Sequence, residues 1–240
     1  MIERYIADLD ELKKSFIEMA DMAKKIINDA MEALMERDRE RAKATYEYDR
    51  LIDLKELEIE ERCVRILALY SPEAADLRFV VSVLKSIVDL ERVGDLARDI
   101  CETAIKLSEV PPIKPYVDLP RMLKIVSEML KDSVMSLLRG DEELAKEVIE
   151  KDDIVDSFYE RLFEELVDIS KKNPENAEVA VRLILVVKSL ERVGDHATNI
   201  AEYAIYYKTG DVVKHKKAQE YLKKLKERER SGHRENETTG

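Results

Sequence analysis

Apolar residues recur every three or four positions along most of the chain. Leu9, Leu12, Phe16, Met19, Ala23, Ile26, Ala30 and Leu34 trace one stripe. Met122, Ile125, Met129 and Leu137, with Val126, Leu130 and Val134, trace another. This is the helical period, and no stretch alternates convincingly at the period of two that a strand requires. Pro72 and Pro174 sit just after helical stretches, and Asp38 and Asp141 precede polar starts as N-caps. The spacing predicts six helices, over residues 3–36, 39–70, 73–108, 120–138, 142–172 and 175–208. At 1.5 Å per residue the longer ones span about 50 Å. Four prolines cluster in "SEVPPIKPYVDLP", the only segment that reads as a linker.

The hexapeptide "LERVGD" occurs at Leu90–Asp95 and again at Leu190–Asp195. From Leu90 to Ile105, eleven of sixteen positions equal those 100 residues on. Upstream the offset drifts to 103, where Asp38, Ala42, Lys43, Glu47, Asp49 and Asp53 match Asp141, Ala145, Lys146, Glu150, Asp152 and Asp156. The pattern predicts an all-α chain of two tandem three-helix bundles of long antiparallel helices, related by internal duplication. The expected units are residues 1–110, a linker at 111–119, and residues 120–208, followed by an extension at 209–240.

Each copy places carboxylates and a glycine within an apolar run. Glu91 and Asp95 stand four residues apart on one helix face, and Asp99 and Glu102 continue the stripe. The second copy runs Glu191, Asp195, Asn199 and Glu202. The preceding helices carry Asp49 with Asp53 and Asp152 with Asp156. Like charges at this spacing destabilise a helix by a few tenths of a kcal/mol, and Gly94 and Gly194 cost about 1 kcal/mol each relative to alanine. A ligand or a neighbouring backbone approaching the glycine offsets such penalties, and a metal ion held in an all-oxygen cage converts the repulsion into coordination. The competing reading is a solvated acidic face. Arg92, Arg192 and Arg98 lie close enough in sequence to neutralise part of it. His196 falls about 100° around the helix from Asp195, off the carboxylate face, and is not a candidate ligand.

Composition narrows the function. The formal charge is −11, which argues against a general nucleic-acid binder. No apolar run is long enough for a membrane span, and the acidic start "MIERYIADLD" is no signal peptide, so a cytoplasmic protein is expected. Cys63 and Cys101 form no ligand or redox spacing and read as small buried hydrophobes. There is no Gly-rich phosphate loop, no Glu-x-x-His motif at these sites, and no nucleophile paired with a base. From Lys208 to Gly240, ten Lys or Arg stand against six Asp or Glu. "KKAQEYLKKLKER" there reads as a short amphipathic helix in a solvated tail, or as a contact for an acidic partner or anionic membrane face.

"LERVGDLARDI" and "LERVGDHATNIAE", with "SPEAADLRFVV" before the first and "DRLID" and "DDIVD" on the preceding helices, resemble the PhoU family over roughly residues 5–208. The resemblance implies a cytoplasmic, non-enzymatic regulator that restrains phosphate uptake and phosphate-starvation signalling. It implies a phosphate ABC transporter ATPase subunit and a sensor histidine kinase as partners, and a homodimer as the assembly. Membrane contact is then expected only through partners or through the basic extension. It also implies bound iron, zinc, magnesium or similar ions. The family's acidic motifs fall on Asp49, Asp53, Glu91 and Asp95, then on Asp152, Asp156, Glu191 and Asp195. The third stripe position differs, Asp99 in one copy and Asn199 in the other. The rivals are a carboxylate-bridged metal enzyme and a purely structural helical scaffold.

Overall fold

A computed structural model describes residues 2–213. Six helices fill them: α1 (Ile2–Glu36), α2 (Arg39–Tyr70), α3 (Ala74–Leu107), α4 (Asp118–Arg139), α5 (Glu142–Lys172) and α6 (Ala177–Thr209), with a 3-10 turn at Pro174–Asn176. The described residues contain no strand. The predicted boundaries hold to within two residues. The last helix starts later than expected because Pro174 opens a separate 3-10 turn. Helix α4 begins two residues early, which leaves Pro120 in its first turn, where a missing N–H costs nothing. The amphipathic helix expected after residue 213 lies outside the described residues.

Local chemistry sets the ends. Asp38 Oδ1 accepts from Arg41 N at 2.9 Å, and Asp141 Oδ1 accepts from Leu144 N at 3.1 Å, capping α2 and α5. Gly140 takes the left-handed conformation (φ 61°) that ends α4 and lets Asp141 start the next helix.

The helices form two three-helix bundles, α1–α2–α3 and α4–α5–α6, that share one continuous core. Of the first predicted stripe, Leu12, Phe16, Met19, Ala23, Ile26, Ala30 and Leu34 are buried, and Leu9 packs against them. Helix α3 joins the bundles by packing on α6. Arg78 Nε donates to Tyr207 O at 3.0 Å, and Ser82 Oγ donates to Tyr203 O at 3.2 Å. Further along, Asn199 Nδ2 donates to Asp89 Oδ1 at 2.9 Å. The numbers rise on one helix as they fall on the other, so the two run antiparallel. Fully buried Ser82 and Ser86 keep this contact narrow.

Both cysteines are buried and unpaired, and burial pushes each thiol up to about 12. They act as core hydrophobes. No described helix is long and apolar enough to cross a membrane.

Asp89 is the polar bolt of the α3/α6 contact. It is 7% exposed, and its Oδ1 meets Asn199 Nδ2 and, at 2.8 Å, His196 Nδ1. In Asp89→Ala both partners lose the acceptor they share. Urea unfolding should show a loss of about 1–3 kcal/mol, against about 1 kcal/mol for the N-cap change Asp38→Ala.

Candidate cation-binding seams

Each repeat has a seam where its second helix packs on its third, and the doubled motif lies there. In the first seam, α2 contributes Asp49 and Asp53, and α3 contributes Glu91, Gly94 and Asp95. Gly94 is helical, so its role is clearance rather than backbone freedom. A Cβ built on it stands 2.3 Å from Asp49 Oδ1 and 3.3 Å from Ile52 Cδ1. Any side chain there collides with the aspartate, and Asp49 is buried (2% exposed) because the glycine makes room for it. Gly194 repeats the role with less pressure: its Cβ stands 3.4 Å from both Asp152 Oδ1 and Val155 Cγ1.

Burying carboxylates beside one another raises their proton affinity. Burial, then Asp95, push the Glu91 carboxyl up to about 7 against the pull of Arg92, and Glu56 and Asp53 add to the rise. Burial is also the largest cause for Asp49, which Asp53 and Asp95 push further while Arg98 opposes. In the second seam burial raises Glu191, with Asp195 and Asp156 adding and Lys188 opposing. Asp156 is raised by burial, then by Asp195 and Asp153.

The counter-charges differ between the seams. Arg98 Nη1 donates to Asp49 Oδ2 at 3.1 Å and reaches Asp95 Oδ1 at 3.5 Å. Arg92 Nη1 donates to Asp95 Oδ2 at 2.8 Å, and its Nε stands 3.4 Å from Glu91 Oε2. In the second seam Lys188 Nζ donates to Glu191 Oε1 at 2.6 Å and lies 5.0 Å from the centre of the Tyr159 ring. Within the seams, the carboxylate oxygens Asp49 Oδ1 and Glu191 Oε2 are buried without a hydrogen-bond partner. Buried acceptors of this kind are what a bound cation or water satisfies.

Eight of the ten candidate ligands thus gather at the two seams: Asp49, Asp53, Glu91 and Asp95, and Asp152, Asp156, Glu191 and Asp195. Asp99 instead borders a shallow cleft of about 350 Å³ with Arg92, Asp95, Arg98 and Arg192. Asn199 faces α3, where its amide holds Asp89. Eight residues along a helix accumulate about 80° of rotation, which carries the third stripe position off the seam. In the recorded side-chain arrangement, no three His, Cys, Asp or Glu of the described residues converge closely enough to hold a metal ion. His196, excluded as a ligand, bonds Asp89 instead. Glu56 was missed, although it follows Asp49 by seven residues and so repeats its helix face. Lys188 was also missed, three residues before Glu191.

The PhoU domain family model matches this chain twice, over residues 16–104 and 119–204. The chain belongs to the PhoU family. It is 46% identical over 213 residues to the phosphate-specific transport system accessory protein PhoU homolog of Aquifex aeolicus, covering 89% of this chain and 96% of that one. The Escherichia coli phosphate-specific transport system accessory protein PhoU is 30% identical over 212 residues, with 88% of each chain covered. The crystal structure of PhoU from Pseudomonas aeruginosa superposes with a TM-score of 0.82 at 36% identity, over 86% of this chain and all of that one. The PhoU structure from Streptococcus pneumoniae gives the same TM-score at 30% identity, over 88% and 99% of the two chains. The all-α fold of two tandem repeats is therefore the family's fold.

Two outcomes follow from the seam geometry. Gly94→Ala forces the buried Asp49 carboxylate off its guanidinium; overpacking costs about 1–3 kcal/mol, offset by at most ~1 kcal/mol of helix propensity. Gly194→Ala meets ordinary contacts and should stay within about 1 kcal/mol of wild type, so urea midpoints of the two variants should separate. The second outcome concerns pH. The Glu91 pKa is raised on folding, so its ionisation removes stability as pH climbs from the ordinary carboxylate range to about 7. In chelator, Glu91→Gln should melt above wild type at pH 8, and the gap should close by pH 4.

Proposed function

We propose that this chain is a non-enzymatic, metal-binding accessory protein of a phosphate-specific transport system, which restrains phosphate uptake and starvation signalling from the cytoplasm. The observation that carries the reading is the family match across both repeats, together with relatives that bear the name of transport accessory proteins. The seams fit the regulatory role. They present carboxylates, Glu91, Asp49, Glu191 and Asp156 among them, whose proton affinity burial and neighbouring charge raise, and the motif carries no paired nucleophile and base. A bound iron, zinc, magnesium or similar ion would supply positive charge there. In the second repeat Asp152, Asp156, Glu191 and Asp195 would hold it only once their side chains turned toward one another, and the buried Glu191 Oε2 is an atom that would gain a partner.

The partners we assign are the transporter's ATPase subunit and a sensor histidine kinase. Exposed Leu51, Leu54 and Leu57 on α2, alongside the first seam, supply apolar surface for a protein partner. A homodimer is the proposed assembly, the commonest symmetric oligomer.

Affinity capture of the tagged full chain from its own organism, grown with excess and with scarce phosphate, tests the assignment. The ATPase or the kinase should be recovered in at least one condition, in amounts that change with phosphate. Recovery of neither, under both conditions, would sink the adaptor reading.

A further inference from the structure

Helix α6 stops at a turn. Gly210 takes φ 84° and its N–H donates to Tyr206 O at 2.8 Å, while Asp211 N donates to Thr209 Oγ1 at 3.0 Å. The chain then buries Val213 in the core, 7% exposed, instead of running on into solvent. Val212 and Val213 line a cleft of about 630 Å³ between α3 and α6. Lys85 and Val88 of α3 face Tyr203 and Tyr206 of α6 across it, and the buried carboxylates Asp89 and Glu202 border it. Residues 214–240 follow directly and lie outside the described ones.

The cleft is apolar where it opens and acidic beneath. Val88 is 47% exposed and Val212 68%, so apolar surface is left facing water. Lys85 Nζ lies over the Tyr203 and Tyr206 rings, 5.5 and 5.8 Å from their centres. Burial, then the charges of Asp89 and Glu202, push the Tyr203 hydroxyl up to about 12, so the carboxylates rather than Lys85 set the potential at that ring. An occupant must bring apolar side chains together with positive charge. The chain's next segment has both. Residues 214–226 hold six lysines and one glutamate, and Ala218, Tyr221, Leu222 and Leu225 recur among them at the helical spacing. Attachment at Val213 holds that segment at an effective concentration on the order of mM, so a contact too weak to retain a separate partner suffices within one chain.

We propose that residues 214–226 dock back into the α3/α6 cleft, with Ala218, Tyr221, Leu222 and Leu225 against Val88, Val212 and the tyrosine rings, and with lysines directed toward Asp89 and Glu202. This is the pairing of an amphipathic segment with an apolar groove of opposite charge. It is independent of the metal reading, because no carboxylate of the two seams lines the cleft. The docked segment lies at the join of the two bundles. While it is docked, its lysines are withheld from an acidic partner or an anionic membrane face.

The test uses the full chain. Trypsin cuts after lysine, and it cuts a docked segment only when that segment lifts off, so the rate follows the undocked population. Val88→Lys removes an apolar contact and adds a charge that repels the segment. Lys188 holds the corresponding place in the second repeat, two residues before "LERVGD", so the helix accommodates a lysine there. Cleavage within residues 214–226, followed by mass spectrometry, should run about tenfold faster in Val88→Lys than in wild type, the order expected from losing the burial of one half-exposed valine. Leu57→Lys, on α2 and not lining the cleft, should cut at the wild-type rate. Leu222→Asp with Leu225→Asp leaves the bundles untouched and should speed amide hydrogen exchange at residues 211–213, which keeps the docking testable if Val88→Lys fails to fold. Equal cleavage in wild type and Val88→Lys, or exchange that the two aspartates leave unaltered, would overturn the docking and leave a solvated tail. Protection that grows with protein concentration also overturns it, by giving the cleft to the tail of a second copy. Protection that appears only with vesicles containing phosphatidylglycerol overturns it in favour of a membrane face.

Discussion

Helices α3 and α6 lie at the centre of the molecule, and their enclosure constrains everything else. Each packs on two helices of its own bundle and on the other across the join. Helix α3 buries 17 residues of its 34, whereas the outer helix α2 buries seven of 32. Little of a central helix is left for polar groups, so any carboxylate on it is desolvated unless it meets a counter-charge. Asp89 meets His196 and Asn199 in the join. Glu91 and Asp95 have only the narrow seam against α2.

The seam answers that constraint with the means at hand. Where an arginine reaches, it opposes the cost of burial, as Arg98 does at Asp49, although burial still leaves that carboxyl raised. Where compensation is incomplete, the proton affinity rises instead, and the Glu91 value near 7 reports the imbalance. Exposed ion pairs elsewhere on α1 and α2 contribute little by comparison, because solvent screens them and side-chain entropy opposes them. The pairs at the seam are partly withdrawn from water, so removing one partner strands the other.

Local chemistry made the helices legible in the sequence. Apolar periodicity, Asp38 and Asp141 as caps, and the proline positions each act over a few residues, and the structure moves the boundaries they set only slightly. The seam itself was also legible, because residues four apart share a face and the motif occurs twice. The third stripe positions part company: a step of four overshoots the helical turn, so Asn199 faces α3 and Asp89, whereas Asp99 borders a cleft together with Asp95 and Arg98. Asp89 was hidden for a different reason. Its partners lie more than 100 residues away, and nothing local distinguishes an aspartate that bolts two bundles together from one that faces water. The glycines were legible only in part: close approach was foreseen, but that Gly94 is pressed by Asp49 itself required the packing.

Identical motifs therefore sit in different surroundings, and the difference comes from residues outside the motif. "LERVGD" is the same six residues in both repeats, yet a Cβ at its glycine stands 2.3 Å from the facing aspartate in one and 3.4 Å in the other. Tyr46 and Arg98 fill the first seam where Ile149 and Thr198 stand in the second. Glu56 adds a carboxylate to the first where Tyr159 offers Lys188 a ring in the second. Each substitution shifts the seam's charge or its space, and together they leave the first tighter, with two arginines only partly offsetting its carboxylates. A motif fixes which carboxylates face the neighbouring helix. Whether an arginine, a lysine, a proton or a metal ion answers them is decided by side chains the motif does not contain.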